Sequence, residues 1–343
     1  MKYKLFGKSG LRVSELALGT MTFGEEWGWG SSKDESKKIF DAYINAGGNF
    51  IDTANRYTEG TSEKFVGEFI ASEREHFVLA TKFTLQMKMN DPNYSGNHKK
   101  NMVQALDASL KRLKTDYIDL YWLHAWDFTT PVEEVMRSLD DLVRAGKILY
   151  IGISDTPAWI VSQSNTLADL RGWTRFTGLQ IKYSLLERTV ERELLPMARS
   201  LDVAVTPWGA LGSGVLSGKY SKDSRPKEGR STTISELDDK TLLIVQAVVD
   251  VAKEIGATPS QVALSWVRQQ PGVIIPIIGA RKIEQLKDNI DCLNFTLTKE
   301  YLDKLNEVSK IDLGFPHDFL KIEYIKDLIY GGTFNQIDNH RKI

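Results

Sequence analysis

Residues 117–154 read YIDLYWLHAWDFTTPVEEVMRSLDDLVRAGKILYIGIS. A strand-length apolar run, Tyr117–Leu123, leads into a polar stretch. Thr130-Pro131 with Glu133 then opens a helix, because proline fits the first helical turn and acidic side chains favour its positive end. Val132, Val135, Met136, Leu139 and Val143 recur along one face, and Gly146 stops it. A second run, Ile148–Ser154, follows at once. Both runs are nearly continuous in apolar residues rather than alternating, as strands covered on both faces are. Strand, helix and strand in this order make the unit of a parallel sheet.

The alternation extends in both directions. Further strand-length runs are Leu16–Thr20, Asn49–Asp52, Phe77–Lys82, Phe176–Ile181, Val203–Pro207 and Val273–Pro276. Ser32 with Glu35 reads as a capping box before Ile39, Phe40, Tyr43 and Ile44, and Gly47-Gly48 ends that helix. Thr258-Pro259 with Gln261 opens another, which stops before Pro271. Asn97 is the expected cap of a helix carrying Val103, Leu106, Leu110 and Leu113 on one face. Eight strands alternating with helices fit a closed (β/α)8 barrel or a doubly wound open sheet, and length favours neither. Lys2–Phe6 and Leu11–Val13 around Ser9-Gly10 read as an added β-hairpin. Long segments follow the third strand (83–96) and the seventh (208–237), and a tail runs from about 311 to 343. Segments of that length are usually functional. No linker divides the chain, so residues 1–343 are expected to form a single domain.

Composition narrows the function. With 44 basic and 45 acidic side chains in 343 residues, the net charge is −1. That balance argues against nucleic acid or an anionic membrane as partner. One cysteine, Cys292, excludes an intrachain disulfide and a cysteine-rich metal site, and suits a reducing cytoplasm. The longest apolar stretch, Gly272–Ala280, holds Pro276 and falls far short of the ~20 residues of a membrane span. Lys2, Lys4, Lys8, Arg12 and Glu15 break up any secretory-signal core. The expectation is a cytoplasmic protein, with self-association left open.

In a barrel, the strand C-terminal ends share one face, and that face holds the chemistry. Strand one ends at Thr20, strand two at Asp52 with Tyr57 five residues on, strand three at Lys82 and strand four near His124. Strand five ends at Ser154-Asp155, strand six at Gln180, strand seven at Trp208, and strand eight runs out to Gly279-Ala280-Arg281-Lys282. Taken singly, such an aspartate is more often a helix cap, such a lysine often a structural ion pair, and such a histidine a satisfied core residue. Together they suit proton delivery. A phenol near pKa 10 is a poor acid at neutral pH, and a nearby ammonium lowers its pKa. Asp52 would keep the lysine charged, and His124 would align a substrate oxygen. Carbonyl reduction needs this, because charge grows on oxygen as hydride reaches carbon. No metal cage is expected.

The run Gly212-Ser213-Gly214-Val-Leu-Ser-Gly218 is a weak dinucleotide fingerprint: its spacing is GxGxxxG and it lies late in the chain. In a barrel, however, the loops after strands seven and eight form a phosphate site. Lys219 adds charge there, and Arg281 with Lys282 stands where the next helix begins, which points to NADPH over NADH. Trp208 offers a flat face for a nicotinamide, and Ser154, Asp155 and Gln180 offer polar atoms for its carboxamide. Trp27, Trp29, Phe83, Trp126 and Phe128 lie in segments expected above the ring. They are expected to form an apolar pocket for aromatic or medium-chain carbonyls.

The chain resembles the aldo-keto reductase family. The matching segments are Phe50-Ile-Asp52-Thr-Ala-Asn-Arg-Tyr57, Thr81-Lys82, Leu123-His124, Gly152-Ile-Ser154, Gln180-Ile-Lys-Tyr183-Ser-Leu-Leu, Pro207-Trp208 through Lys219-Tyr220, and Ile275-Pro276-Ile-Ile-Gly279-Ala-Arg281. They run in the family's order from about residue 2 to 310. The phrases around Tyr183 and Trp208 look most like the aryl-alcohol-dehydrogenase-like branch and the β subunits of potassium channels. The resemblance implies a (β/α)8 TIM barrel over about 15–310, with a C-terminal extension over the active face. It also implies a tetrad of Asp52, Tyr57, Lys82 and His124, with Tyr57 as general acid. It places Ser154, Asp155 and Gln180 on the carboxamide and Trp208 on the ring. Leu211, Gly212, Ser213, Gly214 and Lys219 would line the pyrophosphate, and Arg281, Gln285 and Asn289 the adenosine phosphate. Thr20, Gly209 and Gly279 complete the coenzyme set. Asp155 departs from the family's usual Asn, Gly209 from a frequent Ser, and Thr58 from a common Gly. The implied activity is NADPH-dependent reduction of aldehydes or ketones. Two alternatives stand beside it: a slow-turnover NADPH-binding regulatory subunit, and a barrel enzyme for phosphorylated sugars without nicotinamide.

Overall fold

The structure is a computed structural model and describes residues 1–219 and 238–340. Most of the long segment expected after the seventh barrel strand therefore lies outside the described residues, Tyr220 included, as does the end of the tail. An antiparallel hairpin, β1 (Tyr3–Leu5) and β2 (Arg12–Ser14), precedes the main sheet. Eight parallel strands follow: β3 (Ala17–Gly19), β4 (Phe50–Asp52), β5 (Val78–Phe83), β6 (Ile118–Leu123), β7 (Ile148–Ser154), β8 (Phe176–Lys182), β9 (Ala204–Trp208) and β10 (Ile277–Ile278). Their order is β10-β3-β4-β5-β6-β7-β8-β9, and a bridge between Val205 and Ile274 brings the ends of the sheet together. Helices lie between successive strands, so this is the closed (β/α)8 alternative rather than the open sheet.

The last strand differs from its expected span of Val273–Pro276. The ladder is divided there: the Val205 and Ile275 amides pair across to Val273 and Val205 carbonyls, each at 2.8 Å, while Ile277 and Ile278 pair with β3. Pro276 stands between the two halves. It has no N–H to give, but its carbonyl accepts from Ala17 at 3.0 Å.

Period-two alternation separates two cores. Ala17, Phe50, Val78, Ala80, Leu120, Trp122, Ala204 and Ile275 fill the barrel with Phe6 and Val13 from the hairpin segment. Leu79, Phe83, Tyr121, Leu123, Ile153 and Val205 face the helices. Phe6 packs edge-on against Phe50 and Trp122, with centroids at 5.7 and 6.3 Å. Trp122 is accommodated because two neighbours lack side chains. A Cβ on Gly152 would stand 2.3 Å from its ring, and one on Gly178 would stand 2.5 Å from Phe6. The apolar plug leaves the next layer up, at the strand C-terminal ends, for polar groups.

Two expected helix caps are corrected. Ser32 accepts from the Glu35 amide at 3.3 Å, but the Glu35 carboxylate does not close the box. It accepts instead from the Ile283 amide at 2.9 Å, the start of helix Ile283–Ile290. The cap of helix Lys99–Leu113 is His98, whose Nδ1 accepts from the Asn101 amide at 3.2 Å. Asn97 is spent on pinning loops, taking the Thr84 hydroxyl and giving its amide to the Ala125 carbonyl. Thr258 and Gln261 form the full reciprocal box. The tail is tied to the loop that follows β8: the Asp312 carbonyl accepts from Arg192 at 2.7 Å, and His317 pairs with Glu193 at 3.1 Å.

Candidate active site

Asp52 is the last residue of β4, and Lys82 the last inward-facing residue of β5, its neighbour in the sheet. Both side chains are buried, at 3% and 0% exposure. An ammonium without water must find its partners in the protein. Lys82 Nζ donates to Asp52 Oδ2 at 2.5 Å, to the Thr53 carbonyl at 2.8 Å and to Tyr57 Oη at 3.1 Å. All three of its protons are thereby placed. Burial works to lower its pKa, but the Asp52 carboxylate and the Tyr57 hydroxyl outweigh burial, and the pKa is raised. The second Asp52 oxygen accepts from the Gln180 side-chain amide at 3.0 Å.

Tyr57 reaches this pair through a strained turn. Thr58 and Glu59 sit at φ of 45° and 54°, a left-handed conformation that non-glycine residues rarely adopt. This is why glycine suits the position after Tyr57. Thr58 holds the turn by other means: its hydroxyl donates to the Phe23 carbonyl at 2.6 Å and accepts from the Ser62 amide at 3.2 Å. The Tyr57 ring meets His124 edge-on at 6.0 Å between centroids, and Lys82 Nζ lies 4.7 Å from its centre. The structure thus brings Asp52, Tyr57, Lys82 and His124 to one place.

Burial, and then the Lys82 ammonium, push the His124 pKa down to about 3. The ring is therefore neutral at physiological pH. Its Nδ1 is buried and meets no hydrogen-bond partner among the described residues. The unfolded chain takes up a proton at this position below about pH 6.5, and the folded chain only near pH 3. Stability that is complete above 6.5 is lost as the pH falls toward 3. Acidifying from pH 6.5 to about 5 should cost the fold about 1–2 kcal/mol more than it costs a His124→Asn variant. Urea midpoints for both proteins at both pH values measure it, and equal losses would show that folded His124 is charged.

At the strand ends, several buried polar atoms have no hydrogen-bond partner among the described residues: the Ser154 hydroxyl, the Thr206 hydroxyl and both side-chain atoms of Asn55. Buried groups of this kind are normally satisfied, so at a barrel mouth these atoms fit the polar groups of a ligand. Asn55 stands inside the matching segment between Asp52 and Tyr57, and Thr206 two residues before Trp208, yet neither is among the expected site residues. Trp208, 37% exposed, closes one side of the mouth. Its indole N–H donates to Asp155 Oδ1 at 3.1 Å, and Lys182 Nζ lies 5.9 Å from the ring centre. Burial raises the Asp155 pKa, against the Trp208 hydrogen bond and the charge of Lys82.

The glycine turn beyond Trp208 has positive φ at Gly209, Gly212, Ser213 and Gly214. A Cβ on Gly214 would meet nothing within 4 Å, so a ligand can approach its backbone closely. Leu211 accepts the Gly214 amide at 2.9 Å, and Lys219 is exposed at the end of this stretch. Arg281 is exposed before helix Ile283–Ile290. Gln285 accepts its amide at 2.9 Å, and Asn289 donates to the Gly279 carbonyl at 3.3 Å, so these two residues brace the loop. Thr20 donates its hydroxyl to the Asp52 carbonyl at 3.1 Å. These residues fit a dinucleotide: unsatisfied hydroxyls, a flat indole, a glycine turn and an exposed guanidinium follow one another along the rim.

The five aromatics expected to form one pocket are not brought together. Phe83 is fully buried against Tyr121, with ring centroids at 5.0 Å, on the helix-facing side of β5. Lys82 points inward, so the residue after it points outward. Phe128 is 69% exposed, whereas Trp126 is buried. Trp27 and Trp29 pack together at 5.5 Å, and the Trp27 indole donates to Glu59, two residues from Tyr57.

Comparison with known proteins gives a consistent set of relatives. A sequence model of the Aldo/keto reductase family matches residues 15–310. A norsolorinic acid reductase of Aspergillus flavus is 41% identical over 326 residues, covering 92% of this chain and 83% of its own. An aldo-keto reductase of Emericella nidulans is 38% identical, covering 94% of this chain and 85% of its own. An aryl-alcohol dehydrogenase [NADP(+)] of Phanerodontia chrysosporium is 37% identical, covering 90% and 86%.

Proposed function

The chain belongs to the aldo/keto reductase family and is an oxidoreductase, and from that premise we propose that it reduces aldehydes or ketones to alcohols, reversibly, with NADPH. The observation that carries the reading is Lys82 Nζ, bonded at once to Asp52, the Thr53 carbonyl and Tyr57. The bound coenzyme supplies hydride to the carbonyl carbon. Tyr57 gives its hydroxyl proton to the carbonyl oxygen as negative charge grows there. Lys82 favours the phenolate left behind. Asp52, braced by Gln180, keeps Lys82 charged and aimed. His124, neutral, orients the carbonyl oxygen toward Tyr57.

Ser154, Asp155 and Gln180 take the carboxamide end of the coenzyme, Trp208 its ring, residues 209–214 and Lys219 its pyrophosphate, and the 279–289 segment its adenosine phosphate. The Trp27–Trp29 pair beside Glu59 favours an aromatic or medium-chain aldehyde, and the relative named an aryl-alcohol dehydrogenase supports the aromatic choice. The unit that acts is the whole chain as one domain, with the barrel over about 15–310. Among the described residues no helix is long and apolar enough to cross a membrane. A cytoplasmic setting suits the single cysteine.

A panel of aldehydes, ketones, sugars and aryl alcohols, assayed with both nicotinamide coenzymes, tests the reading. Aromatic aldehydes should be reduced with NADPH, and no turnover across the panel would overturn it. In the same assays Arg281→Ala should weaken NADPH binding by about tenfold to a hundredfold and leave NADH nearly unchanged, since only the phosphorylated ribose offers the guanidinium a dianion.

A further inference from the structure

Asp155 is the first residue beyond β7, and its place is set from several sides. Its backbone adopts a left-handed φ of 41°. Its amide donates to the Gln180 carbonyl at 3.2 Å, tying it to the end of β8. Its carboxyl oxygen Oδ1 accepts the Trp208 indole N–H at 3.1 Å. One carboxyl oxygen is therefore committed to the wall of the mouth. Ser154, immediately before it, has a buried hydroxyl with no partner among the described residues.

The reacting atoms must come close to this carboxyl. On the proposed reading, which this inference rests on, hydride and proton reach the two ends of one carbonyl group. The oxygen lies against Tyr57, and the hydride donor must lie within about 3–3.5 Å of the carbon. The coenzyme ring is thus confined beside the Tyr57–Lys82 pair. Asp155 is tied to that pair through one residue: its amide donates to the Gln180 carbonyl, and the Gln180 side chain donates to Asp52, the partner of Lys82. Ring and carboxylate then share one small, partly dehydrated space.

The reaction changes the charge of that ring. Carbonyl, NADPH and a proton become alcohol and NADP+, so a neutral dihydropyridine loses hydride and becomes a cation. A fixed negative charge nearby stabilises the cation and is nearly indifferent to the neutral form. The other acid of the mouth, Asp52, is matched by Lys82 at 2.5 Å. Lys182 is exposed, where water and salt screen it. The carboxylate of Asp155 is bonded to a neutral indole and forms no ion pair among the described residues. We propose that Asp155 biases this site toward the oxidised coenzyme, holding a negative charge beside the nicotinamide so that NADP+ binds more tightly than NADPH. By linkage, the same factor favours carbonyl reduction over alcohol oxidation between the bound states.

Calorimetric titration of the wild-type chain, Asp155→Asn and Trp208→Phe with NADP+ and with NADPH tests this without turnover. The asparagine keeps an oxygen for the indole and removes only the charge, so NADP+ should weaken about tenfold and NADPH by less than about twofold. Trp208→Phe removes the N–H and keeps the charge, so the ratio of the two affinities should stay within about twofold of wild type. Equal weakening of both coenzymes by Asp155→Asn, or no change in either, overturns the proposal. So does a Trp208→Phe protein whose ratio moves as far as that of Asp155→Asn, because the effect would then run through the indole. A wild-type chain that binds neither coenzyme removes the underlying reading instead, and is seen before any variant is made.

Discussion

Tyr57→Phe lowers the rate of NADPH oxidation with a reactive aldehyde by about 10²- to 10⁴-fold, the range for removing a general acid. The substitution deletes one oxygen. The ring that remains can still meet His124 edge-on and lie under Lys82 Nζ, as the tyrosine ring does at 6.0 and 4.7 Å. Lys82 loses one of three acceptors and keeps Asp52 and the Thr53 carbonyl. Folding is therefore little disturbed, and the loss falls on the chemical step. KM for the aldehyde should change far less than kcat, because the hydroxyl matters most as charge develops on oxygen. Unchanged turnover would remove Tyr57 from the mechanism.

The strained turn after Tyr57 shows how the family's chemistry survives a local departure. Thr58 stands at φ 45°, where glycine would sit without strain. Its hydroxyl bridges the Phe23 carbonyl and the Ser62 amide, and its position is buried. Two hydrogen bonds thus offset a conformation that costs on the order of 1–3 kcal/mol, and the phenol is delivered to Lys82 all the same.

What could be read ahead of the structure follows from which effects are local. Apolar runs flanked by caps mark strands and helices, and strand ends in a parallel barrel share a face, so Asp52, Tyr57, Lys82 and His124 fall at one mouth once the barrel is assumed, and the resemblance to the family singles them out as a tetrad. The limits are equally physical. Phe83 adjoins Lys82 in sequence, yet only the inward register of Lys82 reveals that Phe83 turns to the helices. The last strand is divided at Pro276, which has no N–H to give: residues 273–275 pair with β9 and Ile277–Ile278 with β3. The Glu35 carboxylate was legible as a helix cap, but its partner is Ile283, 248 residues away. The Asp155–Trp208 bond joins two residues that were each singled out for the coenzyme, with no local signal that they serve one another.

Lys82→Met destabilises the protein by about 3–5 kcal/mol, because it leaves a carboxylate buried without its cation. Asp52 is 3% exposed and would retain only the Gln180 amide at 3.0 Å. Replacing both partners has a different outcome. Asp52→Asn combined with Lys82→Met leaves two neutral side chains of similar size, and most of the lost stability should return, since the penalty came from the unpaired charge and not from lost packing. Activity should not return with it. The Tyr57 hydroxyl would have no ammonium to stabilise its phenolate, so turnover in the double variant should stay as low as in Lys82→Met. Urea unfolding and aldehyde reduction, measured on both variants, separate the two roles of the lysine. A double variant no more stable than Lys82→Met would mean that the pair holds the mouth together by its shape. One that recovered turnover with its stability would show that proton delivery from Tyr57 does not depend on Lys82.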